Sequence, residues 1–347
     1  MHRASWVLAC GANYMLLGPK ATMLKSEKPV ISICAIRTGA GKSQTSRRIT
    51  EILKKYGKKV AVVRHPMPYG DLTKQICQKF ETLSDLDKHE CTIEEREEYE
   101  PHIEMGNVVF AGVDYEVILR EAEKLGDFVL WEGGNNDTSF YKPDLSIVVA
   151  DPHRAGHELT YHPGETNLRM SDVIVINKVD TASYDSILKL KENIHRVNPN
   201  AVVIEAASPF FLDDYKEIKN KRVLAVEDGP TLTHGEMSYG AAVLAAKKFG
   251  AKELVDPRDY AVGSIRDTFA KYPHTGALLP AMGYGKKQIK DLEATINKTP
   301  CDIVVSATPI DLNRILKVNK PIIHVRYELQ EIGSPTLEDI LKEKFNL

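Results

Sequence analysis

The chain has 347 residues, of which 27% are charged and 43% hydrophobic, with a net charge of −2. That balance suits a globular protein with core enough for two domains, and it excludes a broad basic surface for nucleic acid or a charged face for a membrane. No apolar run reaches the ~18–20 residues of a membrane helix.

In chain order, HRASWVLACG reads as a short helix, NYMLLG as a buried strand and PKATMLKSEK as a polar linker, too little for a domain. The apolar patch is not read as a signal peptide, because Gly11, Asn13 and Gly18 interrupt it and Lys20 and Lys25 follow without a clean cleavage site. Residues 30–36 predict a buried strand, 43–56 a helix and 58–63 a second strand, a β–loop–α–β unit of a parallel sheet. The charged segment 73–105 reads as helical, and its acidic run Glu94, Glu95, Glu97, Glu98 and Glu100 as a solvated face. Further strands are expected at 127–131, 145–150, 172–176 and 201–208, with helices at 114–124 and 184–197. The pattern restarts after Lys221, with strands at 222–227, 303–308 and 321–325 and helices near 240–249, 258–271 and 286–297. The expected organisation is a lead-in over 1–29, a nucleotide-binding domain over 30–221 and a smaller α/β region over 222–347.

Five widely spaced cysteines, Cys10, Cys34, Cys77, Cys91 and Cys301, include no CxxC. They predict free thiols in a reducing compartment, hence a cytoplasmic protein. His89, Cys91 and His102 lie near Cys77 but match no standard zinc spacing.

The chemistry centres on Arg37-Thr38-Gly39-Ala40-Gly41-Lys42-Ser43-Gln44. A strand feeding a small-residue loop that opens a helix holds a polyphosphate. Backbone N–H groups face the anion, Lys42 reaches the terminal phosphates and Ser43 takes Mg²⁺. The consensus G-x-x-x-x-G-K-[ST] asks for Gly at position 36, where Ile36 stands. The remaining loop resembles the variant K-G-G-x-G-K-[ST] of the signal-recognition/MinD-type class of P-loop proteins, with Arg37 in place of the extra Lys. That class implies a homodimer, in which Arg37 reaches a phosphate of its own or of a partner's nucleotide.

Glu132 ends a strand inside WEGG, where a P-loop protein holds Mg²⁺, and Asp71 after the second strand is a further metal candidate. Asn177-Lys178-Val179-Asp180 also follows a buried strand. The Asp180 carboxylate suits the N1–H and N2–H₂ edge of guanine, the Lys178 stem can cover the base, and Ala206-Ala207-Ser208 stands where a second base loop belongs. Three Pro/Gly-rich loops, 64–71, 151–167 and 228–240, follow strands and so gather at one rim. They carry His65, His153, Arg154, His157, His162 and His234, and as a set they point to an anionic second substrate, with His65, Arg154, His157 and His234 as its contacts.

RTGAGKSQTSR, RHPMPYGDL, LWEGGNND, ADPHRAGHE, YHPGETN, INKVD, EDGPTLTHGEM and PAMGYGKKQ together resemble proteins described as predicted GTPases related to cyclic 2,3-diphosphoglycerate synthetase. The resemblance implies an α/β P-loop NTPase fold and nucleotide-driven closure of an intramolecular phosphoanhydride in 2,3-diphosphoglycerate, with Mg²⁺ as cofactor. The synthetase uses ATP, whereas NKVD reads as GTP. Family members carry a nucleotide-fold domain ahead of this region, and Met1–Lys28 resembles its end, which implies an N-terminally shortened member. In the leading reading Lys42, Glu132 and Arg37 are catalytic, acting by positioning and charge neutralisation. The alternative is a regulatory or chaperone-type GTPase that controls a protein partner.

Overall fold

The computed structural model describes residues 2–65, 67, 71–134, 136–282 and 285–347. Parts of three motifs above, Pro66 with Pro68–Gly70, Asn135, and Gly283 with Tyr284, lie outside the described residues.

The chain opens with α1 (His2–Ala9) and the one-turn α2 (Pro19–Thr22). The buried strand expected between them does not form, and Tyr14, Met15, Leu16 and Leu17 are exposed. An apolar run becomes a strand only when a sheet edge pairs it, and among the described residues none pairs this one. Then come β1 (Val30–Ala35), α3 (Lys42–Lys55), β2 (Val60–Arg64), β3 (Gln78–Phe80), α4 (Leu83–Lys88), α5 (Ile93–Glu104), β4 (Val108–Ala111) and α6 (Tyr115–Leu125). They are followed by β5 (Phe128–Glu132), β6 (Leu145–Ala150), α7 (Gly164–Met170), β7 (Val173–Ile176), α8 (Tyr184–Val197) and β8 (Val202–Ala207). The second half holds β9 (Phe210–Phe211), β10 (Arg222–Asp228), α9 (Gly229–Thr233), α10 (Ala241–Lys248), β11 (Glu253–Leu254), α11 (Gly263–Lys271) and β12 (Leu279–Ala281). It ends with α12 (Lys286–Lys298), β13 (Ile303–Ser306), β14 (Ile322–His324), β15 (Arg326–Tyr327), β16 (Gln330–Ile332) and α13 (Leu337–Phe345).

Among the described residues, nine strands form one sheet in the order β16-β8-β7-β6-β1-β5-β2-β4-β3. Only its edge strands run antiparallel, β3 to β4 and β16 to β8. Every residue of β1 is buried, because helices cover both faces, as the unbroken apolar run VISICA requires. One core lies under α3, α5 and α13, and the other under α6, α7 and α8. A second, parallel sheet runs β11-β10-β13-β14, with β12 pairing the C-terminal end of β10.

The region over 222–347, which the sequence reads as a smaller α/β region or an extension of the first sheet, builds a second sheet, and its last stretch returns to the first through β16 and α13. Leu337 and Leu341 of α13 are fully buried in the same core as Ile49, Ile52 and Leu53 of α3, and Phe345 meets the Phe128 ring at 5.0 Å. Segment 73–105 contains β3 as well as two helices, and α5 is not a solvated helix. Ile93 packs into the core of the second sheet while Tyr99 and Ile103 pack into that of the first, so α5 is clamped between the two sheets. Its Glu95, Glu97 and Glu100 are therefore buried. Glu95 is accommodated by closing a capping box with Thr92, and Glu100 by Arg96 at 3.2 Å.

The closing helix gives a direct test of this architecture. Leu341→Ala should lower unfolding stability by about 2–5 kcal/mol, the usual cost of emptying a packed leucine site. Chemical denaturation checks it, and an unchanged midpoint would mean that α13 is not docked on α3.

Candidate nucleotide site

The loop after β1 is held from several sides. Ile36 continues the β1 register through its N–H to Val149 O at 3.0 Å, and its side chain is fully buried. The residue that breaks the P-loop consensus is thus a core residue. Gly39 and Gly41 have φ of 77° and 114°. A Cβ on Gly41 would stand 2.0 Å from Asn177 Nδ2, so that position needs glycine for both conformation and space. Asn177 Nδ2 donates to Ala40 O at 2.9 Å, Lys178 Nζ donates to Gly39 O, and Arg154 Nη1 donates to Thr38 O at 2.8 Å. The second region also touches the loop. Thr231 of α9 packs on Gly39, and Arg37 Nη2 donates to His234 O at 3.0 Å.

A cavity of about 530 Å³ opens beside this loop, between the C-terminal ends of β1 and β2 and the start of α9. Of the expected residues, Arg37, Thr38, Gly39, Gly41, Lys42, Ser43, Gln44, Lys178, His65 and His234 line it. Ala40 and Asn177 are buried behind the loop. Arg37 is buried, stacked on the Tyr161 ring at 3.8 Å and 3.5 Å from Glu236. Its side chain is thereby held within its own chain.

Other expected residues stand apart from the cavity wall. Asp71 is half-exposed and caps a single helical turn through Thr73 N at 3.1 Å, away from the loop. Arg154 is buried as a brace, bonded to Asp151 at 2.7 Å and to Gly235 O at 2.7 Å. His157 stacks on Tyr161 outside the lining, and burial lowers its pKa. Asp180 is exposed, and its Oδ1 accepts from Ser208 N at 2.9 Å, which ties NKVD to the strand end AAS.

Glu132 is the centre of the charge network. It is fully buried under the loop, with Lys42 Nζ and Arg64 Nη1 each at 2.9 Å and His102 Nε2 at 2.8 Å. Burial alone would raise its pKa, but Arg64 and Lys42 hold it well below the usual carboxylate range. Arg64 also lies 2.7 Å from Glu98. These are charge contacts, since no guanidinium nitrogen of Arg64 makes a directed hydrogen bond. Glu98 lies 3.4 Å from Ser43 Oγ and 3.9 Å from Lys42 Nζ.

Arg64, His102, Glu97, Glu98 and Asp228 are not among the site residues expected from the sequence, where His102 figures only beside a non-standard zinc spacing and Glu97 and Glu98 only in a run read as solvated. The signal was there only for α5, where Glu94, Glu97 and Glu98 fall at i, i+3 and i+4 on one helical face. That face turns into the cavity. Glu97 lies beside Asp228, and burial together with that carboxylate pushes the Glu97 pKa well up. Burial likewise pushes Asp228 up to about 6, although Thr231 N donates to it at 3.2 Å. Glu227, next in the wall, is engaged at the start of α10, where it accepts from Val243 N at 2.9 Å.

Among the described residues, no group of three or more His, Cys, Asp or Glu is placed to hold a metal by itself. Mg²⁺ does not require one, because it takes one or two protein oxygens with phosphate and water. Ser43 Oγ and the Glu98 carboxylate supply such hard oxygens beside the loop. Glu132 fits that role less well, because both of its oxygens already face Lys42, Arg64 and His102. All five cysteines are free thiols, and no described helix is long and apolar enough to cross a membrane.

Comparison with known proteins gives the fold and the family. Residues 113–205, which hold Glu132 and NKVD, match the model of the CobW/HypB/UreG nucleotide-binding domain. The chain shares its fold with LpxK from Aquifex aeolicus, solved in complex with ATP, at a TM-score of 0.54 and 14% identity over 99% of this chain and 94% of that one. The architecture is an α/β P-loop NTPase fold with a mainly parallel sheet flanked by helices. Similarity to the cyclic 2,3-diphosphoglycerate synthetase of Thermococcus sibiricus is 31% identity over 114 residues, 32% of this chain and 26% of that protein. The family resemblance is thus supported over part of the chain, and the particular member differs. A whole-length match is instead found with the arginine synthetase ArcE of Thermococcus kodakarensis, 65% identical over 343 residues, 99% of this chain and 77% of that protein. The chain therefore belongs to the family of the arginine synthetase ArcE.

Proposed function

We propose that this chain is a Mg²⁺-dependent, nucleoside-triphosphate-driven ligase that forms arginine. The observation that carries the reading is the charge of the cavity wall. The loop side is cationic, with Lys42, Arg37 and Arg64, whereas the facing side presents Glu94, Glu97, Glu98 and Asp228. A multiply phosphorylated acid such as 2,3-diphosphoglycerate would have to sit against those carboxylates. A neutral side chain that becomes a guanidinium suits them. The His-bearing rim loops, expected to hold an anion, act on this reading mainly as braces for the phosphate loop.

The amino acid that differs from arginine by one oxygen in place of nitrogen at the ureido carbon is citrulline. Its ureido oxygen takes the γ-phosphoryl group, and the bond from that phosphorus to the β-bridging oxygen breaks, leaving the nucleoside diphosphate. The lone pair of an ammonia nitrogen then attacks the ureido carbon, the C–O bond breaks and phosphate leaves. Starting from ammonium, the products are arginine, nucleoside diphosphate, phosphate and one proton. Lys42 and the loop amides would hold the β- and γ-phosphates, and Ser43 and Glu98 would hold the Mg²⁺. When bound, that ion neutralises charge building on the transferred phosphoryl group. Glu132 acts as the anchor that keeps Lys42 and Arg64 in place.

The reading is tested by incubating the protein with nucleotide, Mg²⁺, citrulline and ammonium. Arginine should accumulate one for one with nucleotide consumed, and Lys42→Ala should lower turnover by about 10²–10³-fold. Nucleotide use that depends on 2,3-diphosphoglycerate and yields its cyclic product would replace this reading with the synthetase one. Hydrolysis indifferent to either substrate would favour a regulatory GTPase.

Base choice is a separate matter. Lys178, Thr181, Ser208 and Phe210 line the cavity, close to Asp180 in the chain and through Ser208 N. Calorimetry should show GTP binding more tightly than ATP, and Asp180→Asn should erode the preference by about 10–100-fold, the worth of hydrogen bonds to a charged acceptor. Equal affinities in the wild type would remove the guanine assignment and leave ATP as the co-substrate.

A further inference from the structure

The cations beside the phosphate loop are already matched. Lys42 and Arg64 face Glu98 and Glu132 at 2.7–3.9 Å, and His102 completes the set on Glu132. Glu97 and Asp228 stand outside that balance. They come from different layers, α5 and the C-terminal end of β10, and both line the cavity. Among the described residues, neither ion-pairs with a lysine or arginine. Glu97 is 5% exposed, and its Oε1 is buried without a hydrogen-bond partner. A buried carboxylate oxygen left unbonded beside a second carboxylate is costly unless the pair shares a proton or a positively charged or hydrogen-donating ligand meets it.

The position of the pair is set by the phosphate loop. Asp228 caps α9 through Thr231, and the Thr231 side chain packs on Gly39. Glu97 precedes Glu98, which touches Ser43. A small cation held by the pair would therefore share the cavity with the phosphate loop. Ammonium has the four N–H donors that two carboxylates can share in so confined a site.

We propose that Glu97 and Asp228 form the subsite for the nitrogen co-substrate, which enters as ammonium and passes one proton to a carboxylate of the pair before its freed lone pair attacks, on the same wall that receives the guanidinium of the product. The proposal rests on the reading of the chain as an arginine-forming ligase, and it assigns that wall to one of the three substrates. Because Thr231 occupies part of Asp228, Glu97 carries the larger share.

Steady-state rates at varied ammonium chloride, with ionic strength held by potassium chloride, test the assignment. Glu97→Gln should raise the KM for ammonium about tenfold or more, well beyond any change in the KM for citrulline, and leave the KM for nucleotide within about twofold. Glu97→Asp should recover part of the loss. An unchanged ammonium KM in Glu97→Gln would overturn the proposal, as would an equal rise for all three substrates, which marks a structural role. If the wild type makes no arginine, the functional reading fails by itself. The subsite is then decided by titrating the full chain with guanidinium chloride or ¹⁵N-ammonium. Saturable binding lost in Glu97→Gln upholds a cation subsite, and its absence in the wild type overturns it.

Discussion

The structure turns on a single buried carboxylate. Glu132 sits at zero exposure under the phosphate loop and is met by Lys42 from α3, Arg64 from the end of β2 and His102 from α5. A lone ion there would be prohibitive. Three cationic or hydrogen-bonding partners make it tenable, and removing one member of such a buried set typically costs about 3–5 kcal/mol. The same contacts set the geometry of the site. They fix the start of α3, the rim of two neighbouring strands and the inner face of α5 relative to one another.

The second constraint is the way the two sheets share the phosphate loop. The first sheet supplies the loop and its braces, Asn177 and Lys178. The second supplies α9, whose Thr231 packs on Gly39, and His234, whose carbonyl holds Arg37. Helix α5 lies between them and belongs to both cores. The cavity is thus made at a seam, with a cationic side from the first sheet and an acidic side from α5 and β10. The proposed function uses this division of charge, with phosphates toward the cationic side and nitrogen cations toward the acidic one.

Several expectations drawn from motifs hold a different place in the tertiary structure. Asn177 and Lys178, part of a base-reading pattern, are first of all supports for the loop backbone. Arg154 carries a charge suited to an anion, yet its two terminal guanidinium nitrogens are engaged by Asp151 and by two backbone carbonyls. Asp71 is a turn cap. A residue type shows what chemistry a side chain can perform, but its hydrogen-bond partners decide whether any of that capacity is left for a ligand.

The sequence by itself determined the local order of the chain. Unbroken apolar runs, 3.6-period helices and a Gly-Lys-Ser turn are written in neighbouring residues, so β1, the loop, α3 and the sequence of strands after them were legible, including 145–150 and 184–197 to the residue. Only the tertiary structure decided the acidic wall, the return of β16 and α13 to the first sheet, and the burial of Arg64 and Glu132. An acidic helix such as α5 looks solvated from its composition, because burial is a property of what lies across from it. Here that is a second sheet whose strands begin more than a hundred residues later in the chain.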